Sequence, residues 1–190
     1  MQGLSERAKQ LIPKAQIVSF EHWQDMPDSV VARFQAANEE KRYLSDEDLS
    51  AVSAHHLGPS LGVVRQLRDQ AADIVDEARA DVLQAFPGIL EPGGGLYPAM
   101  RAEACWRDFW QFLRCITYGI AGGHTQYTSE SGLAAMEQLY EELKVPLSAM
   151  VSGLKGIKQA SLRRVAEDER ESLAPYFDHL IERMALFLKA

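Results

Sequence analysis

Apolar residues recur every three or four positions along most of this chain, and no stretch alternates long enough to indicate a β-strand. This spacing places apolar side chains along one face of successive α-helices. The clearest stripe lies within residues 60–86 and consists of Leu67, Ala71, Ile74, Ala78 and Val82. The pattern therefore predicts an all-α domain of seven or eight helices with short connectors, packed either as a bundle or in a globin-like way.

Capping and helix-breaking residues suggest where several helices begin and end. Ser45 precedes three acidic residues, which predicts a helix that Ser45 caps and whose dipole the carboxylates stabilise. The sequence Pro87-Gly88 ends the helix predicted over 60–86. The next helix is expected over about 98–120, because Ala121-Gly122-Gly123 follows it.

Helix starts are also predicted in the last third of the chain. Ser129 or Ser131 begins a short helix, because serine is a favoured N-cap residue. Pro146 suits the first turn of a helix that runs towards Arg164, since proline lacks the N–H that this turn leaves unpaired. By the same argument Pro175 is expected to open the terminal helix.

Length and charge limit the classes of function. The chain has 190 residues and a formal net charge of -7, which fits one compact domain and argues against a binder of nucleic acid or anionic membranes. No apolar run is long enough to span a membrane, and the first twenty residues lack the apolar core of a secretory signal. We therefore expect a cytoplasmic protein without membrane insertion.

The two cysteines, Cys105 and Cys115, fall on one predicted helix. Ten helical residues separate them by roughly 15 Å, which is too far for a disulfide. No spacing typical of a metal site is present, and no pair of acidic residues is arranged as a catalytic acid and base. The sequence thus predicts neither an enzyme nor a metal centre.

Five segments, in this order, resemble the phycobiliprotein family. ANEEKRYLSDEDLSAV resembles a segment near the start of its subunits, and PGGGLYPAMRAEACWRD resembles the glycine loop and the Cys-x-Arg-Asp chromophore motif. FLRCITYGIAGG is similar to a run in allophycocyanin, and the family's last two helices are matched in kind by VPLSAMVSGLKGIKQ and PYFDHLIERM. The resemblance covers residues 30–190.

This resemblance implies a globin-like phycobiliprotein fold over residues 30–190 with an N-terminal helical extension, a helical pair that makes subunit contacts. We expect residues 1–29 to form an N-terminal extension ahead of this domain. It also implies a bilin, which is an open-chain tetrapyrrole such as phycocyanobilin or a biliverdin-type pigment. In the family the pigment is joined by a thioether to the motif cysteine, which aligns with Cys105.

A bilin needs a nucleophilic anchor, a counter-charge for its pyrrole nitrogens and cations for its two propionates. Cys105 supplies the sulfur, and Asp108 lies three positions later on the same helix face, where its carboxylate can accept pyrrole N–H bonds. The long side chain of Arg107 can reach one propionate. Arg101, four residues before Cys105, is the candidate for the other propionate.

Aromatic residues complete the predicted site. Phe109 and Phe112 follow Cys105 at +4 and +7 and are expected to wall the cleft. Tyr118 aligns with a family tyrosine near the chromophore or the subunit contact. Asn38 takes the place of an acidic residue used in subunit pairing, whereas Tyr43 and Arg114 resemble its partners. A homodimer or phycobiliprotein-like pairing is therefore expected.

Some residues depart from the family pattern. Trp106 and Trp110 replace smaller or acidic residues, Gln111 stands where tyrosine is common, and Gly95 stands where beta-type subunits carry asparagine. With these departures and its extended N-terminus, the chain resembles the bilin-biosynthesis-associated globins. We therefore expect a protein that carries or handles bilin in its biosynthesis, with biosynthetic enzymes or a lyase as further partners.

Three alternatives remain open. The first is a light-harvesting phycobilisome antenna subunit with a thioether-linked bilin. The second is a haem-binding globin, which needs an imidazole ligand for iron. The candidate haem ligands are His55, His56, His124 and His179. The third is an interaction protein that has lost its pigment, and the intact Cys-x-Arg-Asp set argues against it.

Overall fold

The computed structural model describes residues 4–56 and 58–189, and this part of the chain forms nine α-helices and no β-strand. One antiparallel bridge joins Val18 to Thr128. The prediction of an all-α fold is confirmed. The helices are α1 (Glu6–Leu11), α2 (Asp28–Glu39), α3 (Asp46–Ser53), α4 (Leu61–Asp69), α5 (Ala71–Ala85), α6 (Ala99–Gly122), α7 (Glu130–Glu142), α8 (Leu147–Arg163) and α9 (Glu167–Leu186).

Serine side chains cap two of the predicted helices. Ser45 accepts a hydrogen bond from the Asp48 amide at 3.1 Å, while the Asp48 carboxylate accepts one from the Ser45 amide at 3.0 Å. These reciprocal bonds form a capping box, which satisfies two amide groups that the helix itself leaves unpaired. Ser129 caps α7 by accepting from the amide of Gly132 at 3.1 Å. Both capping predictions are confirmed.

The single helix predicted over 60–86 is wrong, because the structure divides it into α4 and α5 at Gln70. Gln70 leaves helical geometry with φ -106° and ψ 15°, and its side chain accepts a bond from Arg164 at 2.9 Å. Gln66 donates to the Arg164 carbonyl at 2.6 Å. The break therefore coincides with contacts to the end of α8, which periodicity along α4 and α5 cannot predict.

The prediction that Pro175 opens the terminal helix is also wrong. The helix α9 begins at Glu167, and Pro175 lies inside it on the exposed face. Proline cannot donate to the carbonyl one turn earlier, but that carbonyl belongs to exposed Glu171 and can bond to water. Pro146, in contrast, is the N-cap residue of α8, as expected for a proline at a helix start.

The long helix α6 runs through the core and contacts α3, α4, α5, α8 and α9. The helix α8 packs against α5 on one side and α9 on the other. Where α8 crosses α6, a Cβ atom at Gly153 would lie 1.9 Å from the Phe109 ring. A glycine is required at this crossing, because any side chain would push the two helices apart.

The segment that precedes α2 packs onto the rest of the molecule. The helix α1 buries Ala8 and Leu11 against α7, while Ile17, Val18 and Trp23 join the main core. Each Å² of apolar surface that this segment buries contributes on the order of 25 cal/mol to stability, and this contribution holds the segment in place. Within the described residues, no helix is long and apolar enough to cross a membrane.

Candidate functional site

Cys105 lies in the first half of α6, and its thiol is closed off from solvent. Only 4% of the residue is exposed, and its sulfur lies 3.2 Å from the sulfur of Met150 on α8. Burial, helped by the nearby charge of Asp108, raises the pKa of Cys105 to about 12. The thiol is therefore protonated at neutral pH and is a weak nucleophile in this closed state.

Asp108 lies one turn after Cys105 and is half-buried. Its carboxylate accepts a hydrogen bond from the hydroxyl of Tyr140 at 2.8 Å. Burial raises the pKa of Asp108 above its ordinary value, and the hydrogen bond from Tyr140 and the charge of Arg107 oppose that shift. The site thus holds a carboxylate that has lost much of its hydration and has room for further hydrogen-bond donors.

Tyr140 and Met150 are site residues that the sequence reasoning missed. Tyr140 is 4% exposed and Met150 is fully buried, so both resemble ordinary core residues in the apolar pattern. Burial raises the pKa of Tyr140 well above its ordinary value, which keeps its hydroxyl a donor to Asp108. No local motif marks either residue, because each acts across a contact between helices.

The two arginines predicted to bind propionates differ in whether their guanidinium groups already have hydrogen-bond partners. Arg107 is exposed, and within residues 4–56 and 58–189 it forms no ion pair or side-chain hydrogen bond. Arg101 donates to the carbonyls of Gly95, Leu143 and Lys144 at 3.1, 2.9 and 2.7 Å. Arg101 therefore joins the loop before α6 to the end of α7, and its role towards a propionate stays a prediction that requires release of these bonds.

The predicted aromatic residues lie mainly in the core. Phe109 is fully buried beneath Gly153, and Phe112 is 2% exposed. Tyr118 lies about 20 Å from Cys105 along α6, since each helical residue advances 1.5 Å. Its hydroxyl accepts from Arg114 at 2.7 Å and donates to the carbonyl of Arg42. The structure therefore does not bring Tyr118 together with Cys105.

The residues predicted to take part in subunit pairing contact one another within this chain. Arg114 donates to the side chain of Asn38 at 3.1 Å and to Gln111 at 2.7 Å. The Tyr43 hydroxyl donates to the carbonyl of Trp110 at 3.1 Å. Pairing through these groups would require them to exchange their partners, and it stays a prediction.

The histidines considered as haem ligands are scattered. The ring nitrogens of His56 face the carbonyls of Ala121, at 2.8 Å, and Pro59. His179 bonds to Thr128 at 2.8 Å, and His124 stacks on Trp23 with ring centroids 4.7 Å apart. His55 is exposed. Across the described part of the chain, no cluster of histidine, cysteine and acidic residues could hold a metal ion.

Two clefts on the surface of the described residues lie away from Cys105. One, of about 270 Å³, lies between α2 and the segment before it, beside Phe20 and Asn38. The other, of about 220 Å³, lies at the end of α5 beside Phe86 and Leu90. The motif residues are therefore brought together on α6, but the thiol of Cys105 is closed off from solvent.

These features define an all-helical, globin-like protein whose central helix carries a Cys-x-Arg-Asp site. A family model described as phycobilisome protein matches residues 32–184. The chain is 34% identical over 153 residues to an allophycocyanin alpha-B chain of Cyanidium caldarium, a match that covers 78% of this chain and 93% of that one. It is 32% identical over 151 residues to allophycocyanin subunit alpha-B of a Nostoc species, covering 78% and 94%.

The chain therefore belongs to the phycobilisome protein family and has the globin-like phycobiliprotein fold. The family resemblance inferred from the five segments is confirmed. The narrower assignment to the bilin-biosynthesis-associated branch finds no support among these relatives, whose names fit the antenna alternative better. The haem alternative likewise finds no support.

Proposed function

We propose that this protein is a bilin-carrying phycobilisome subunit of the allophycocyanin type, with a structural and pigment-binding role rather than a catalytic one. The observation that carries the proposal is the placement of Cys105 and Asp108 one turn apart on α6, with the Tyr140 hydroxyl 2.8 Å from the carboxylate. The relatives named allophycocyanin support the same role. In this proposal residues 30–190 form the phycobiliprotein-like domain and residues 1–29 form an extension.

Each motif residue has a chemical role in this proposal. Cys105 would hold the bilin through a thioether formed by addition of its S–H across a carbon–carbon double bond, which needs no oxidant or leaving group. Asp108 accepts hydrogen bonds from pyrrole N–H groups and neutralises their positive charge. Arg107 binds a propionate at the exposed edge. The bilin supplies the absorption of visible light.

The burial of Cys105 restricts when its sulfur can react with a bilin. The Met150 sulfur packs against the sulfur of Cys105, and burial keeps the thiol protonated, so the surroundings of Cys105 would have to open before a thioether could form. Movement of the side chains around Cys105, that of Met150 among them, would expose the sulfur. Methionine suits this position, because its unbranched side chain can change rotamer at low cost.

Co-expression with a pathway that makes phycocyanobilin tests the proposal. We expect the purified protein to be coloured, and zinc-induced fluorescence to persist on a denaturing gel. Cys105→Ala should abolish that fluorescence, whereas Cys115→Ala is the matched control and should retain it.

The other outcomes of this experiment are also informative. Colour in the native protein that is lost on denaturation in every variant would mean reversible binding and would favour the bilin-handling alternative. A colourless wild-type protein would contradict the proposal. Subunit pairing should then be measured on the coloured protein by its mass in solution, alone and with a beta-type allophycocyanin subunit.

A further inference from the structure

A cation from a neighbouring helix, Arg79, lies against Trp106, the residue that follows Cys105 on α6. The guanidinium carbon of Arg79, on α5, is 5.4 Å from the centroid of the Trp106 ring. Trp106 directly follows Cys105 and packs on Phe109 with ring centroids 5.5 Å apart. Contact between α5 and α6 therefore places Arg79 beside Trp106, the residue that follows Cys105, although Arg79 and Trp106 are far apart in sequence.

The charge of Arg79 is not neutralised within the protein. Arg79 is exposed, and it forms no ion pair among the residues that the structure describes. Glu77, two positions earlier on α5, instead pairs with Arg163 and Arg164 of α8. An arginine that stacks on an aromatic ring uses the face of its guanidinium, so the N–H groups around the edge stay free to bind a carboxylate.

A bilin brings two carboxylates, and the structure offers two uncommitted cations beside Trp106. One is Arg107, the next residue along α6, and the other is Arg79. Arg101 is bound to three backbone carbonyls instead. We propose that Arg79, oriented by Trp106, binds the second propionate of the bilin. This assignment rests on the proposed function and replaces Arg101 by a residue from another helix.

The test compares two pigments that differ only at the propionates. Biliverdin and its dimethyl ester are titrated into the bilin-free protein, and binding is followed by absorbance. We expect Arg79→Gln to weaken biliverdin binding about tenfold, as for loss of one charge-assisted contact, and to leave ester binding unchanged. Arg107→Gln should behave similarly. Arg170→Gln is the matched control, because Arg170 is exposed on α9 and its replacement changes the net charge equally.

The outcomes separate this inference from the proposed function. Normal biliverdin binding by Arg79→Gln, with weakened binding by Arg107→Gln, would overturn the assignment of Arg79 and leave the bilin site standing. Equal weakening for biliverdin and the ester would show that Arg79 acts by holding Trp106, which also overturns the assignment. Failure of the wild-type protein to bind either pigment would contradict the proposed function itself. Arg79→Lys should recover part of the lost affinity, because it keeps the charge but not the planar fork.

Discussion

The two halves of α6 have the same helical geometry but different surroundings. In residues 99–111, exposed, half-buried and buried side chains alternate with the helical period, and Met100 remains 60% exposed. In residues 112–122, every side chain is buried. The first half thus forms an accessible face of the molecule, whereas Trp23 of the segment before α2 and Phe34 of α2 pack onto the second half.

The polar groups of the two halves differ in the same way. Arg114 in the second half is 4% exposed, and its hydrogen bonds all go to side chains within the protein. The first half contains Asp108, with a raised pKa, and Arg107, without an ion pair in the described part of the chain. Groups whose pKa is shifted by burial, such as Asp108, cluster at functional sites. The comparison therefore separates a half that supports the fold from the half in which we propose that the bilin binds.

Thiol reactivity should show the largest difference. At a pKa of about 12 instead of 9.0, the thiolate fraction of Cys105 at pH 8 is about 1000-fold lower than that of an ordinary cysteine. We expect iodoacetamide to modify Cys105 in the folded protein at least that much more slowly than in the unfolded chain, and Cys115 to be protected as well, because burial also raises its pKa. Mass spectrometry of digested samples measures both rates.

The same assay can distinguish local opening around Cys105 from general unfolding. Met150→Ala should accelerate alkylation of Cys105 at least about tenfold and leave Cys115 protected, because the removed side chain packs against the Cys105 sulfur and its loss opens space there. Met150→Leu conserves volume and is the matched control. Equal acceleration at both cysteines would mean that the variant merely unfolds more often, and it would contradict a local effect of Met150 on Cys105.

Stability should respond next most strongly. Arg114→Met removes three hydrogen bonds and leaves buried polar partners unsatisfied, which should lower the free energy of unfolding by about 3 kcal/mol. Arg107→Met, on the same helix but exposed, should change it by less than about 0.5 kcal/mol. Urea denaturation followed by circular dichroism measures both. Losses of similar size would remove the distinction between the two halves.

A smaller effect is expected at Arg101. Its three bonds to backbone carbonyls predict that Arg101→Ala lowers the free energy of unfolding of the bilin-free protein by about 1–2 kcal/mol. Arg101→Lys should recover part of this loss, because one ammonium cannot reach all three carbonyls. Unchanged stability in Arg101→Ala would instead leave this arginine free to serve a propionate.

The smallest effect concerns pH. The folded protein holds the pKa of Asp108 above 3.8, so folding binds a proton in this range, and the contribution of Asp108 to stability declines as pH rises through the folded pKa. Asp108→Asn cannot titrate and should be slightly more stable than wild type at pH 7, because it avoids the cost of a charged carboxylate at this half-buried position. This difference should narrow as pH falls towards 3.8. Urea midpoints from pH 7 downwards measure it, and a gap that widens at low pH would contradict the sign.

Local features of the sequence predicted much of the fold. The cap at Ser45 and the start of α8 after Pro146 depend on neighbouring residues, and both appear as expected. The break at Gln70 and the position of Pro175 inside α9 were mispredicted. In each case the outcome depends on contacts with another helix or on exposure to solvent, neither of which periodicity reports.

For the site, the sequence by itself determined that Cys105 and Asp108 share one face of a helix, because residues three apart are neighbours on any α-helix. Only the tertiary structure decided what surrounds them. Met150 packs against the thiol, Tyr140 donates to the carboxylate, and Arg79 lies over Trp106. These contacts come from α8, α7 and α5, far away in sequence, and they form only when packing brings those helices against α6.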